Sequence, residues 1–246
     1  MNHSILTGKN IRKSFHSNSV LNGIDIDIIK GEFLSIMGPS GSGKSTLLYS
    51  ISGMDSIDDG EILFKGKNIS NLKEREMANI RLHEMGFIFQ NATMLKNLNM
   101  YDNIILPGLK SEKMDKSQIQ TRADSLMDTT GISSLKDRQV TQVSGGELQR
   151  AGICRALINT PSILFGDEPT GALNSQSTEE IIALLKQINK DGITIMLVTH
   201  DAKVACESDR VLFMKDGQIV SQEILKELDH EERMDRVLEK MKELGI

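Results

Sequence analysis

The segment Gly38-Pro-Ser-Gly-Ser-Gly-Lys-Ser-Thr46 constrains this chain more than any other. It fits the pattern GxxxxGK[ST] and lies between two apolar stretches of different character. Before it, Phe33-Leu-Ser-Ile-Met37 reads as a strand; after it, Thr46-Leu-Leu-Tyr-Ser-Ile51 reads as a helix. A strand, a glycine-rich loop and a helix in that order make a cradle for a nucleoside triphosphate. Glycines let backbone N–H groups approach the phosphates, and the helix N-terminus adds its dipole. In this reading Gly38, Pro39, Ser40, Gly41, Ser42, Gly43, Lys44, Ser45 and Thr46 contact the nucleotide. Lys44 reaches the β- and γ-phosphates, and Ser45 places its hydroxyl on Mg2+. The loop alone does not say what the energy is used for.

The remaining chain alternates strands with helices. Ile24-Asp-Ile-Asp-Ile28 has the alternation of a half-buried strand, and Glu61–Phe64 and Gly86–Phe89 read as short strands. Ser162–Phe165 and Ile193–Val198 read as buried strands, while Ile181, Ile182, Leu184, Leu185 and Ile188 form a helical stripe. Val211–Met214 and Gln218–Val220 flank Lys215-Asp-Gly217, a turn that suits a hairpin. Residues 72–84 are charged and helix-compatible. The pattern predicts an α/β fold with a mostly parallel sheet. Residues 91–160 differ: they carry helix-forming stretches, little strand signal and a polar break at Gly108–Ser117. They read as a helical lobe inserted between two strands. The expected organisation is one domain over 1–246. Its core is 1–90 with 161–222, its lobe 91–160, and its helical tail 223–246, where Met234, Val237, Leu238, Met241 and Leu244 recur at helical spacing.

Composition narrows the classes. With 39% hydrophobic and 26% charged residues over 246 positions, the chain is an ordinary globular one that can bury a core. Its net charge of −5 argues against broad binding to nucleic acid or anionic lipid. The two cysteines, Cys154 and Cys206, have no CxxC or Cys/His spacing, so the sequence predicts neither a zinc motif nor a disulfide, but reduced core thiols. The opening MNHSILTGKN has no long apolar stretch, so no secretory signal is expected. No run approaches the ~20 apolar residues of a membrane span.

Four polar residues sit at predicted strand ends. Asp167-Glu168 closes the strand that contains Ile163-Leu-Phe165, and an acid there suits Mg2+ held beside a phosphate loop. The adjacent Glu168 is placed to deprotonate an attacking water. His200 ends the strand Ile193–Val198, and Gln90 ends Gly86–Phe89. Parallel strands deliver their C-terminal ends to one crevice, so Gly38, Gln90, Asp167 and His200 are expected to converge.

These residues resemble the ATP-binding cassette (ABC) ATPases. The deciding stretch is Val143-Ser-Gly-Gly-Glu-Leu-Gln-Arg150, similar to that family's signature motif, and the order of P-loop, Gln90, signature, Asp167-Glu168, Gly171–Asn174 and His200 matches throughout. The resemblance covers nearly the whole chain and implies a P-loop NTPase core with an N-terminal antiparallel β part. It also implies a head-to-tail homodimer, with ATP between the P-loop of one copy and Ser144, Gly145, Gly146 and Glu147 of the other. By resemblance Phe15 stacks on adenine, Gln90 senses Mg2+, Glu168 is the general base and His200 contacts the γ-phosphate. Lys44 completes the catalytic set, and Ser45, Gln90 and Asp167 hold the metal. Asn174 stands where the family usually has Asp; it keeps hydrogen bonding and loses the charge that helps couple the two sites.

A narrower resemblance rests on Phe165–Asn174, Ser144–Glu147, Asn103-Ile-Ile-Leu-Pro107 and the ending Val237–Gly245. These look like the branch serving macrolide export, lipoprotein release and antimicrobial-peptide resistance. That branch implies a transmembrane permease partner, with the chain on the cytoplasmic face of the membrane and touching it only through the permease. The expected function is ATP hydrolysis that exports or detoxifies peptides, antibiotics or lipid-linked substrates by mechanotransmission. The alternative is a regulatory cassette that controls an envelope enzyme without transport. Met94, Leu95, Leu98 and Met100 either border the permease groove or fill the lobe core. No direct nucleic-acid partner is expected.

Overall fold

The computed structural model describes residues 3–246, so the first two residues of the N-terminal reading lie outside the described residues. In chain order the elements are β1 (Ser4–Phe15), β2 (Asn18–Ile29), β3 (Phe33–Met37), α1 (Lys44–Ile51), β4 (Asp59–Phe64), β5 (Lys67–Asn68) and α2 (Glu74–Glu84). There follow β6 (Met85–Phe89), α3 (Met100–Ser111), α4 (Lys116–Thr129), α5 (Gly145–Leu157), β7 (Ile163–Asp167) and α6 (Ser175–Lys190). The chain ends with β8 (Thr194–Val198), α7 (Ala202–Ala205), β9 (Arg210–Lys215), β10 (Gln218–Ile224) and α8 (His230–Leu244). It divides into two compact units, Met1–Met77 with Asn189–Ile246, and Ala78–Ile188.

In the first unit, β2, β1, β4 and β5 form an antiparallel sheet, the β part expected at the N-terminus. β2 alternates buried and exposed residues from Ile24 to Ile28, as its sequence predicts. β3 and β8 are different: all five residues of each are buried, which is the mark of a parallel strand covered on both faces. β3 pairs in parallel with β8 on one side and β9 on the other, and β9 turns back antiparallel into β10. Arg210 ties this sheet to its entry, donating from Nε to Glu32 Oε1 at 2.7 Å and from Nη2 to the Asp27 carbonyl at 2.7 Å. The tail helix α8 is amphipathic. Val237 is fully buried among Met37, Val211, Phe213 and Leu225, and Met234, Met241 and Leu244 pack beside it. Leu238 points the other way and is 48% exposed. Lys215 Nζ closes the helix end by donating to the Leu244 carbonyl at 2.8 Å, where the helix dipole favours a cation.

In the second unit β6 and β7 pair in parallel, and Phe87 stacks on Phe165 across them with centroids 5.6 Å apart. Between these strands the chain makes α3, α4 and α5, packed around Met100, Ile104, Ile119, Met127, Cys154 and Ile158. The lobe departs from expectation at one place. The polar break predicted at Gly108–Ser117 is shorter, because α3 runs through Pro107 and Gly108 to Ser111. Gly108 is there for packing: a Cβ on it would come within 3.1 Å of Ile119 and 3.2 Å of Ile158. Both cysteines are buried and unbridged, and burial pushes the Cys154 thiol up to about 11.

Val237→Ala removes two buried methyls at the α8 seam and is expected to cost about 1.5–3 kcal/mol of stability. Leu238→Ala, on the exposed side, is expected to stay within about 0.5 kcal/mol. Denaturant midpoints of the two variants check this; equal midpoints would contradict the docking of α8 through Val237.

Candidate nucleotide and hydrolysis site

The phosphate loop leaves β3 and enters α1 in the first unit. Its inner side is pressed against backbone. A Cβ on Gly38 would collide with the Met214 carbonyl and lie 2.8 Å from Ser42 Oγ. Gly43 has φ +98, and a Cβ there would lie 2.9 Å from the Val20 carbonyl. Only glycine tolerates that combination of left-handed backbone and close approach. The β9–β10 turn braces the loop from the same side: Gly217 N donates to the Ser42 carbonyl at 3.1 Å, and Asn22 N donates to the Gly217 carbonyl at 2.9 Å. Lys44 is buried, with Nζ donating to the Gly38 and Pro39 carbonyls at 2.8 and 2.9 Å. Its ammonium therefore lies inside the loop's own curve. Ser42 Oγ is buried without a hydrogen-bond partner among the described residues. A buried hydroxyl in a loop that admits no Cβ at Gly38 or Gly43 fits a triphosphate, which supplies acceptor oxygens.

Two further predicted residues share this unit. His200 follows β8, whose register with β3 pairs Val198 with Ile36, and Thr199 N donates to the Ile36 carbonyl at 3.0 Å. The phosphate loop and His200 therefore leave neighbouring strands at the same end. Asp201 N donates to Thr199 Oγ1 at 3.0 Å, and the Asp201 carboxylate caps α7, which fixes the turn on which His200 stands. Phe15 ends β1 and is 46% exposed, so it is not strand core. Lys13 Nζ lies over its ring at 5.2 Å. An exposed ring on a rigid strand end suits stacking on a flat base.

The second unit carries the carboxylates and the signature. β6 and β7 are in register Phe89 to Asp167, so Gln90 and Glu168 leave adjacent strands together. They meet at Gly171: a Cβ built there would lie 2.9 Å from Gln90 Nε2 and 3.3 Å from Glu168 Oε2. Glu168 has φ +46, a left-handed conformation that costs a non-glycine residue on the order of 1–3 kcal/mol. Within this unit Gln90 and Asp167 stand at the ends of paired strands and offer amide and carboxylate oxygens, the hard donors that Mg2+ takes. Ser144 caps α5, with Glu147 N donating to Ser144 Oγ at 3.3 Å and Ser144 N donating to Glu147 Oε2 at 2.7 Å. Ser144 and Gly145 stand exposed at this helix start.

The pattern of the ABC transporter family matches residues 21–171. The chain belongs to that family. It is 44% identical over 224 residues to the bacitracin export ATP-binding protein BceA of Halalkalibacterium halodurans, covering 89% of this chain and 88% of that one. It is 39% identical to the lipoprotein-releasing system ATP-binding protein LolD of Aquifex aeolicus, covering 89% and 97%. With the macrolide export ATP-binding/permease protein MacB of Pasteurella multocida it shares 41% over 90% of this chain but 34% of that longer protein. Among solved structures, the cassette MJ0796 in a dimeric post-hydrolysis state bound to ADP and Pi superposes with a TM-score of 0.84. The identity there is 35%, over 89% of this chain and 98% of that one. The ABC cassette described here is thus an ATP-binding, ATP-hydrolysing chain.

Several supporting residues of the cassette escaped the sequence. Gln149 Nε2 donates to the Phe89 carbonyl at 2.9 Å, fixing the strand end just before Gln90 from the middle of α5. Arg155 Nη1 donates to the Thr93 carbonyl at 2.7 Å and holds the segment just after it. Asn103 Nδ2 bonds the Leu95, Leu98 and Asn99 carbonyls, and its Oδ1 accepts from Leu95 N at 2.7 Å. Their only sequence signal is a polar residue on an otherwise apolar helix face. Asn174 has a local role: its Oδ1 accepts from Ser177 N at 2.9 Å and so caps α6. The run after Gln90 divides: Met94 and Met100 are buried in the lobe core, whereas Leu95 is exposed.

Hydrogen bonds from the Ser144 backbone and hydroxyl hold the Glu147 carboxyl below its ordinary pKa. A carboxyl depressed in the folded state stabilises it above the unfolded value, and that contribution fades as pH falls through the folded value. Glu147→Gln is therefore expected to lower stability modestly at neutral pH and to flatten its fall between about pH 5 and pH 3, so that the two proteins converge in acid. Denaturation midpoints against pH test this; parallel curves for the two proteins would remove Glu147 as a source of the acid sensitivity.

Proposed function

We propose that this cassette pairs with a second copy around two ATP molecules and powers a transmembrane permease. The complex exports or detoxifies peptides, antibiotics or lipid-linked substrates by transmitting motion across the membrane. The observation that carries the reading is the 44% identity, over nearly nine-tenths of both chains, to a protein named for bacitracin export. A protein named for lipoprotein release and one named for macrolide export support the same branch. Among the described residues no helix is long and apolar enough to cross a membrane, so contact with the bilayer is assigned to the permease. The chain then works at the cytoplasmic face.

Each residue contributes by position and charge, which is what phosphoryl transfer to water requires. Phe15 stacks on adenine. Backbone N–H groups of Gly38–Thr46 wrap the phosphates, and Lys44 turns from its own loop carbonyls to the β- and γ-oxygens. Ser45, Gln90 and Asp167 hold Mg2+, which when bound neutralises the phosphate charge. Glu168 takes the proton of the attacking water on its carboxylate. His200 donates to the γ-phosphate. The start of α5, where Ser144 and Gly145 are exposed, supplies with Gly146 a hydroxyl and helix-terminal N–H groups to the γ-phosphate held by the other copy. Neither copy completes both halves alone, so ATP binding drives pairing, and phosphate release reopens the pair.

Glu168→Gln keeps the shape of the side chain and removes its basicity. It is expected to lower turnover by at least about 100-fold while ATP binding and ATP-dependent pairing persist. Turnover by phosphate release, binding by nucleotide titration and pairing by size measurement separate these; unchanged turnover would reject Glu168 as the base. Affinity-tagged chain in mildly solubilised native membranes is expected to retain a permease with a large extracytoplasmic domain. Recovery with a partner that binds cell-wall hydrolases would favour the regulatory alternative, and recovery only from the soluble fraction would reject both.

A further inference from the structure

We propose that Cys206, Glu207 and His230 form a binding site for a divalent transition-metal ion of the zinc type, set between the end of α7 and the start of α8. No local sequence spacing announces it; the fold assembles it. The Cys206 Sγ, a Glu207 carboxylate oxygen and a His230 ring nitrogen all lie within 4.8 Å of one another. Glu207 Oε1 is 3.2 Å from His230 Nδ1. The donor set of thiolate, carboxylate and imidazole is the borderline-soft set that zinc takes. Zinc bonds of about 2.0–2.3 Å place such donors roughly 3.3–3.8 Å apart. Closing the cluster therefore takes a movement of about an ångström, and the His230 side chain, 68% exposed, is the one able to make it.

The scaffold is already fixed. Cys206 closes α7, its N–H donating to the Ala202 carbonyl at 2.9 Å, and its Sγ donates to the Lys203 carbonyl at 3.3 Å. His230 opens α8 immediately after the capping Asp229. Arg233, one turn further, clasps the two segments: it donates to the Leu228, Lys226 and Ser208 carbonyls at 2.9, 3.0 and 3.2 Å, and to Cys206 O at 3.5 Å. Its guanidinium hydrogens are thus taken up by main-chain oxygens. Burial is graded across the cluster, from Cys206 in the apolar core to the exposed His230, which leaves the solvent side for a water as fourth ligand. Binding releases the Cys206 thiol proton and pairs two negative ligands with a doubly charged ion. The bound ion pins the start of α8 to the α7 end, at the edge of the cluster that Val237 fills.

The test uses the full nucleotide-free chain and Zn2+ alone, titrated in competition with a chromophoric chelator, with Co2+ as a spectroscopic substitute. One zinc per chain is expected, together with a thiolate-to-cobalt charge-transfer band and a rise in Tm with zinc. His230→Ala and Glu207→Gln are expected to weaken zinc binding by at least about tenfold and to abolish the Tm rise. Cys206→Ser is expected to remove the cobalt band, and Cys154→Ser to keep it. Because Cys206 is buried, the two exposed-side variants carry the test if Cys206→Ser fails to fold. No zinc binding, undiminished binding in both exposed-side variants, or a cobalt complex without a thiolate band would each overturn the proposal.

Discussion

A phosphate loop must turn its backbone N–H groups toward the ligand while its other side rests on something rigid. In this cassette that support is main chain rather than side chain: the Met214 carbonyl behind Gly38 and the Val20 carbonyl behind Gly43. Backbone supports do not change rotamer, so the loop is held to within the tolerance of the strands that carry them. The requirement propagates outward. β9 must lie beside β3 to bring Met214 there, β2 must bring Val20, and the Asp216-Gly217 turn must reach both Ser42 and Asn22. Much of the first unit's topology is thus fixed by one loop of nine residues.

The second unit solves a different problem, that of holding polar loops against an apolar lobe. Its α3–α5 cluster buries hydrophobic surface, but the segments around Gln90 expose carbonyls that need partners. Gln149, Arg155 and Asn103 supply them from helix interiors. Losing Gln149 or Asn103 would leave part-buried carbonyls without their partner, whereas the Thr93 carbonyl held by Arg155 is exposed and can turn to water. Side chains of this kind position Gln90 without touching a substrate. The helix that carries Gln149 is also the one that Ser144 and Glu147 open, so the signature and the Gln90 strand are joined by one rigid element.

What the sequence revealed follows from how local each feature is. The P-loop, the buried strands β3 and β8 and the hairpin at Lys215–Gly217 each depend on a few contiguous residues, and each is found where the pattern places it. Gly108 misled because a glycine that marks a break and one that admits a neighbouring helix look the same in one dimension. Leu238 fits the helical stripe of α8 by spacing yet faces outward, since the buried face is narrower than the stripe. Gln149 and Arg155 were invisible because their partners, Phe89 and Thr93, are about sixty positions away. The grouping of Cys206 with His230 is of the same kind.

The conformation of Glu168 shows how local strain and function meet. β7 runs to Asp167, and a regular continuation would carry Glu168 on along the strand. Instead its φ of +46 turns the chain at once, and Gly171 N closes the turn by donating to the Glu168 carbonyl at 3.0 Å. That turn brings Gly171 back against both Gln90 Nε2 and Glu168 Oε2, where a larger residue would displace one of them. A glycine at 168 would relieve the backbone at no steric cost, yet the chain retains a carboxylate there. The strain persists because the rest of the unit, from the Phe87–Phe165 stack to the Gln149 bond, fixes both strand ends and so supplies the stability that offsets it.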